Sequence, residues 1–454
     1  MTSGAPAKHI LLFALPALVG NVFQQIYNIA DSVIVGRFVG SNAFAAVGAT
    51  SSITFLFFAL CNGLGSGGGI VASQYYGAHD DANVKKCIVN TGFIMLLVPI
   101  FFGFTGFVLA PALLKLLKTP ELILNDAVLY TRYMCIGLLF VSLYNFLASM
   151  LRALGDSKTP LYFLIISTVI NIILDILFIC VIPLGIKGAA LATVIAQLIS
   201  VILCGVHGFR TNPYFRIHQS DLFISSKMTS RIVRLGVPMS IQFALIAVSS
   251  MAVQRVVNSF GTTVVAAFTA TNRIEQLIHQ PYLSLGTSLS TFCGQNYGAS
   301  NNDRVASGYK TGVTIMMILT LFLILFIQLF SKTITGLFVE DQDVIMLGTR
   351  GLKITSLFYP ALGMIYVIRG VLSGIGDAFF PLFNGIVEVI GRFTIPFILT
   401  GFMGFGETGI WYSCGIVWFI SGFTAWIRYV TFFRNKMIKY RKKMERPGGR
   451  SVWG

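Results

Sequence analysis

From Phe93 to Ala110 the chain reads FIMLLVPIFFGFTGFVLA, and from Gly312 to Phe330 it reads GVTIMMILTLFLILFIQLF, both without a charged side chain. At about 1.5 Å of rise per residue, a helix of this length crosses most of a ~30 Å hydrocarbon core. Within lipid the backbone is satisfied only by helices or by a closed barrel. These runs are continuous rather than alternating, which excludes barrel strands. Composition agrees, because only 11% of residues are charged, against about 25% in an ordinary soluble domain. The expected class is an all-α integral membrane protein embedded in a lipid bilayer.

The net charge of +16 raises the question of nucleic acid, and its distribution answers it. Nine of the 33 basic residues lie from Arg428 onward, and most others fall in short loops. Basic segments beside membrane spans are what anionic lipid and the positive-inside rule select, so no nucleic-acid partner is expected. The seven cysteines are scattered without a CxxC pair, which suggests neither a disulfide framework nor a metal site. The first apolar segment is read as an uncleaved first helix, because no small-residue cleavage site ends it.

Shifted by 221 residues, the sequence falls on itself. Gly40 meets Gly261, QYYGA (Gln74 to Ala78) meets QNYGA (Gln295 to Ala299), and Gly155-Asp156 meets Gly376-Asp377. Gly185 meets Gly406, and Pro16 meets Pro238 with one residue of slippage. About six spans are expected in each half: 10–36, 43–76, 86–111, 126–151, 160–182 and 188–208, then 231–258, 264–297, 306–330, 347–370, 381–402 and 409–432. The architecture expected is therefore about twelve transmembrane helices in two pseudo-symmetric six-helix lobes. An even number of spans per half makes the repeat parallel, with substrate sites between the repeats near the midplane. The expected parts are an N-terminal lobe (1–209), a cytoplasmic linker (210–230), a C-terminal lobe (231–432) and a basic cytoplasmic tail (433–454). With both termini inside, the outer loops hold only Arg37, Lys115, Lys118, Lys187 and Lys332. That bias orients the protein with both termini cytoplasmic in the cell membrane.

Five acids lie in or near apolar spans: Asp31, Asp175, Glu275, Glu388 and Glu407. A carboxylate at a helix centre costs at least ~2.5 kcal/mol and needs an explanation. Asn21, Gln24, Asn28 and Asp31 are spaced by three, four and three, which puts them on one face of span 1. Asn171 and Asp175 share a face of span 5, and span 6 adds Thr193. These residues read either as a hydrated cation pocket or as a polar network tying three helices together. The repeat favours the pocket, because the positions matched to Asn171 and Asp175 are Arg392 and Pro396. A duplicated scaffold has kept this polar group in one half only. Two carboxylates facing one another in a poorly hydrated lobe cannot both ionise cheaply and should titrate as a unit.

Glu388 and Arg392 stand four apart in the order that favours an ion pair. They are expected to be structural. Glu275 has Arg255 or His279 within reach; with Gln24, Asn28 and His279 it is a candidate for lining a substrate cavity. Pro16 and Pro238, inside the first helix of each half, are candidate hinges, since proline removes a backbone hydrogen bond. GLGSGGG (Gly63 to Gly69) lacks a preceding strand and a following Lys-Ser/Thr. It is read as close helix packing and not as a phosphate loop. The HDD run from His79 to Asp81 is read as a helix cap.

With the duplication, the proline in the first helix of each half, GQNYGA, ATNRIEQL and LRALGDSKTP, the chain resembles the multidrug and toxic compound extrusion (MATE) family over nearly its whole length. The resemblance implies two lobes that alternate access, driven by H⁺ or Na⁺, with no cofactor and no enzymatic step. The implied cargo is small organic cations or amphipathic drugs, carried by a monomer. One branch, named for a DNA-damage-inducible membrane protein, has an N-lobe site with an Asp in span 1, an Asn and an Asp four apart in span 5, a Thr in span 6 and a Tyr in span 4. Asp31, Asn171, Asp175 and Thr193 match that pattern, and Tyr130 and Asn145 are the span 4 candidates. Na⁺ would use the oxygens of Asp31, Asn171, Asp175 and Thr193. The other major branch carries acids in spans 7 and 10, where this chain has none. The rival readings are a lipid-linked oligosaccharide flippase of the same wider superfamily and a membrane-embedded enzyme acting on a prenyl substrate. The first would want more spans and a cationic cavity, and the second a carboxylate cluster for Mg²⁺.

Overall fold

The computed structural model of the chain describes residues 1–433 other than Lys118, His218 and Ala378, and the backbone alone at Ser32, Ser52, Ser220, Ala247, Phe432 and Phe433. Lys118 and the basic tail from residue 434 onward lie outside the described residues. Among those residues every regular element is helical. The first half contains α1 (Pro6–Ile34), α2 (Ser41–Gly77), α3 (Asp81–Leu116), α4 (Glu121–Ala153), α5 (Lys158–Asp175) and α6 (Ile186–Thr211). The second contains α7 (Ser226–Asn258), α8 (Thr262–Gly298), α9 (Asn302–Gly336), α10 (Gln342–Ser356), α11 (Tyr359–Gly374), α12 (Phe379–Phe397) and α13 (Gly409–Arg428). Short π-helical turns continue α1, α5, α12 and α13.

Ten of these helices are long and apolar enough to cross a membrane, and α10 with α11 forms an eleventh span bent by 52°. α8, though 37 residues long, falls short of that apolarity, because Asn272, Arg273, Glu275, Gln276 and His279 keep its hydropathy low. The span expected unbroken over 347–370 is thus two helices meeting at Leu357 and Phe358. Pro360 sits in the first turn of α11, where its missing N–H costs nothing and its ring would clash with the carbonyl four residues back, so a break is favoured there. α1, by contrast, runs without interruption through Pro16.

The repeat is written into the backbone. Left-handed φ values occur at Gly40 and Gly261 (114° and 91°), Gly155 and Gly376 (96° and 86°), and Gly185 and Gly406 (60° and 56°). They occur also at His79 and Ser300 (56° and 58°), the two non-glycine cases among the described residues. Each pair is separated by 221 residues. The positions just after His79 and Ser300 also match. Asp80 caps α3 by accepting from Asn83 N, and Asn301 caps α9 by accepting from Arg304 N. Asp156 and Asp377 cap α5 and α12 in the same way. The HDD and LRALGDSKTP runs are therefore turn and cap chemistry.

The chain divides into two compact units. One comprises Met1–Ala14 and Leu245 to the C-terminus, the other Leu15–Ala244. The units therefore depart from the repeat halves 1–209 and 231–432 in the first helix of each half, since α1 changes unit after Ala14 and α7 after Ala244. Inside the unit containing Leu15–Ala244, the start of α7 lies flush on α2. A Cβ at Gly67 would stand 2.6 Å from Gly236 N, and one at Gly63 would stand 2.2 Å from the Ser240 hydroxyl. The GLGSGGG run is a packing surface. The motif glutamines serve the same helices. Arg231 of α7 donates to Gln74 Oε1 (2.7 Å) and to the Tyr75 hydroxyl (2.8 Å). In the other unit, the Met1 nitrogen donates to Gln295 Oε1 at 3.0 Å.

The segment expected as a linker is anchored. Asn90 of α3 accepts from Ser225 N and the Thr229 hydroxyl and donates to Phe223 O. Tyr214 donates to Asp81 Oδ1 at 2.6 Å. Burial, with the hydrogen bond to Asp81 and its charge, pushes the Tyr214 phenol up to about 12.

Candidate functional site

Four helices of the unit containing Leu15–Ala244 bring polar groups together around two carboxylates. Asp31 is in the last turn of α1, and Asp175 is the last residue of α5, where a π-helical turn (Ile176–Val181) takes over. Such turns recur at functional sites because they widen the helix and re-aim side chains. Asp175 is fully buried and Asp31 nearly so. Asn171, one turn before Asp175, donates its amide N–H to Asp175 Oδ2 at 3.0 Å and accepts from Thr193 N at 3.3 Å, the amide orientation being the one that satisfies both. Thr193 in α6 shares a hydroxyl–hydroxyl hydrogen bond of 3.1 Å with Tyr27 of α1. Tyr130 of α4 is buried within electrostatic range of Asp31, Tyr27 and Asp175.

Two features give this cluster its chemical character. One oxygen of each carboxylate, Asp31 Oδ1 and Asp175 Oδ1, is buried without a hydrogen-bond partner among the described residues. The charge felt at Asp175 is that of Asp31, and no basic side chain among the described residues offsets it. A buried pair of acids with unsatisfied oxygens calls for a proton or a cation.

Not every expected residue is here. Asn145 stands four turns, about 22 Å, along α4 from Tyr130, so a helix carrying Tyr130 at the cluster cannot also present Asn145 there. Gln24 and Asn28 are exposed on α1, so the polar stripe divides into a buried end at Asp31, two exposed residues and a half-buried Asn21. Tyr27 was absent from the expected set. Its signal was its position one turn before Asp31, on the same helical face.

The repeat-equivalent region of the other unit is built differently. Glu388 of α12 pairs closely with Arg369 of α11 and, at 3.9 Å, with Arg392. Ser421 donates to the same Glu388 oxygen at 3.2 Å. Arg369 also donates to Asn384 Oδ1 at 2.7 Å. The expected partnership of Glu388 with Arg392 is thus the weaker of two. Arg392 turns also to the hydroxyls of Ser249 and Ser250 in α7 (3.5 and 3.1 Å). Glu275 and His279, one turn apart on α8, each bury a polar atom without a hydrogen-bond partner among the described residues. Arg392 is the basic group in electrostatic range of both, and His279 lies against the Tyr366 and Trp418 rings. Arg255 is exposed. Among the described residues no group of three or more His, Cys, Asp or Glu side chains has metal-binding geometry.

The MatE family profile matches this chain twice, over residues 16–177 and 238–400. The chain is 32% identical over 436 residues to a Bacillus subtilis protein named probable multidrug resistance protein YpnP, covering 94% of this chain and 96% of that one. It is 30% identical to a second B. subtilis protein, probable multidrug resistance protein YoeA, with 95% of each chain covered. Among solved structures it superimposes on a MATE protein in its bent conformation with a TM-score of 0.90 at 22% identity, covering 97% of each chain. The straight conformation gives a TM-score of 0.90 at 23% identity, covering 97% of this chain and 98% of that one.

Proposed function

Because this chain belongs to the MatE family, we propose that it is a multidrug efflux antiporter that exports small organic cations in exchange for an inward-moving proton. The observation that carries the coupling site is the pair Asp31 and Asp175, each with a buried oxygen lacking a partner among the described residues. Two like charges in one dry cluster with no basic neighbour resist joint ionisation, so the pair holds a proton or else draws in a cation. The two ligands exclude one another, which is what exchange requires, because each must favour a different state.

Asn171 fixes Asp175, while Thr193 and Tyr27 join α6 to α1 at the same level. Protonation removes the repulsion, lets α1 settle on α5 and α6, and closes the site to the cargo. Release of the proton on the cytoplasmic side restores two negative charges and the affinity for a cation. Gln24 and Asn28, exposed on the same helix, and Glu275 and His279 are the cargo-lining candidates. The protein acts as a monomer in the cell membrane, with both termini cytoplasmic and the repeat halves 1–209 and 231–432 as its functional lobes. A second reading uses Na⁺, held by oxygens of Asp31, Asn171, Asp175 and Thr193; the hard oxygen set favours it.

The test is export of a fluorescent organic cation by proteoliposomes under an imposed pH gradient, with and without a sodium gradient. Asp31→Asn and Asp175→Asn should each abolish gradient-driven export while eluting as folded protein. Normal transport by both variants under either gradient would end this reading.

A further inference from the structure

Two cations on one helix face have no part in the coupling site. Met346, Arg350 and Lys353 follow the spacing of a single face of α10, Leu357 follows just past its end, and all four are exposed. With Gln328 of α9 and Thr349 they line an open groove of about 440 Å³. Neither Arg350 nor Lys353 has an ion pair among the described residues, and the Thr349 hydroxyl is buried there without a partner.

The groove lies beside the last turn of the uncharged run of α9. Gln328 donates to Lys353 O at 3.0 Å and to the Ser356 hydroxyl at 2.9 Å, so Lys353 is level with the uncharged run of α9 from Gly312 to Phe330. Near Gln328 along α9, the apolar side chains Leu325, Leu329 and Phe330 are exposed. An unpaired cation held against hydrocarbon is costly, and it is tolerated where it finds a counter-charge or reaches the interface. Helical side chains lean toward the N-terminus of their helix, and the N-terminal end of α10 is its nearer membrane face. Arg350 is about 12 Å below that end, a distance its own length reduces by half. Asp341 and Asp343 stand at the end itself but pair with neither cation. The negative end of α10 helps explain Lys353, in the last turn, but not Arg350 one turn before it.

The repeat supplies an internal comparison. The positions equivalent to Gln328 and Lys353 in the first half are Phe107 and Arg132. There the arginine is satisfied within the protein, donating to Phe107 O at 3.3 Å and lying 5.1 Å over the Phe107 ring. In the second half the contact is reversed: glutamine donates to the backbone, and the basic side chain is turned out.

We infer that the α9–α10 groove is a docking site for an anionic phospholipid of the leaflet at the N-terminal end of α10. The headgroup phosphate takes Arg350 and Lys353 as counter-ions and the Thr349 hydroxyl as donor, and the acyl chains follow Met346 and Leu357 along α9. This assignment depends only on the chain spanning a bilayer and is independent of the coupling site.

The experiment is a thermal-shift titration of the full-length protein in a neutral detergent, with dioleoylphosphatidylglycerol, dioleoylphosphatidylcholine or inorganic phosphate. Phosphatidylglycerol should stabilise the wild type, and the other two should not. In Arg350→Gln/Lys353→Gln its apparent affinity should fall about 30-fold, and about 5-fold in each single variant, as expected for two basic side chains at a lipid surface. Arg350→Lys should keep most of the affinity. Should the double variant fold poorly, the single variants and Arg350→Lys carry the comparison. Equal binding of phosphatidylglycerol by wild type and both single variants would overturn the site. Stabilisation by inorganic phosphate equal to that by the lipid would show a free-anion site and overturn it as a lipid site.

Discussion

Asn171 and Arg392 occupy the same position in the two repeats, 221 residues apart, and each reaches a carboxylate one turn away or less along its own helix. Asn171 donates to Asp175 Oδ2 at 3.0 Å and leaves the pair of acids without a cation. Arg392 approaches Glu388 at 3.9 Å and supplies a guanidinium to the serines of α7. One half thus leaves its carboxylates without a basic partner among the described residues, where the other has a cation tethered to its own backbone. This difference makes the two lobes chemically unequal on a common scaffold.

The first prediction follows from that inequality. Asn171→Arg should put a permanent cation beside Asp31 and Asp175, leaving the protein folded while abolishing gradient-driven export of a fluorescent cation from proteoliposomes. Retention of gradient-driven export would show that the acids do not need to be vacated during the cycle.

A second concerns Glu388, which stands between two arginines. Glu388→Gln leaves both unpaired and should lower stability by about 3–5 kcal/mol, whereas Arg392→Met should cost about 1 kcal/mol. The double change Glu388→Gln/Arg392→Met should not restore stability, because Arg369 remains. Glu388→Gln/Arg369→Met should restore most of it. Melting followed by size-exclusion fluorescence reads all four, and recovery in the first double variant would assign the main partnership to Arg392.

The docked segment before α7 gives a pH dependence. Tyr214 donates to Asp81, and its phenol is raised from 10 to about 12. A raised value means that the docked state favours the protonated phenol. The contribution is complete below pH 10 and is lost as pH rises through about 12. Cleavage of this segment by an alkaline-active protease should therefore increase over that window in the wild type. Tyr214→Phe should be cleaved several-fold faster at about pH 8 and show no further step. An unchanged wild-type rate across the window would remove the hydrogen bond from the account of docking.

Topology can be read by labelling. With both termini cytoplasmic, cysteines placed at Asn42 and Thr119 should react from outside intact cells, and one at Asp303 only after permeabilisation. The inverse pattern would reverse the orientation and the direction assigned to export.

The spans were legible because an apolar run and a helix in lipid obey the same length rule, and the loops because only glycine readily takes the left-handed turns found at Gly40, Gly155 and Gly185. Asp31 and Asp175 were legible for the opposite reason: an acid in an apolar run is out of place. Tyr27 was not, since a tyrosine in a membrane helix attracts no notice until its hydroxyl is seen on Thr193. Arg369 escaped because helical spacing reveals partners on one helix, and its carboxylate is on another. The break at Leu357 and Phe358 was signalled by Pro360, which a hydropathy reading passes over. Asn145 was proposed from a resemblance, and the rise of α4 separates it from Tyr130.

The change of unit partway along α1 and α7 has a mechanical result. Arg231 is held by Gln74 and Tyr75, and Met1 by Gln295, so each first helix begins clamped in the unit that its second half does not join. Pro16 and Pro238 lie close to these changes of unit, and at each proline a helical hydrogen bond is already missing. α1 carries Tyr27 and Asp31 on the far side of that weak point. In the exchange we propose, α1 acts as a lever with its fulcrum at Pro16, so that a small rotation there brings a carboxylate to Asp175, or withdraws it, four turns on.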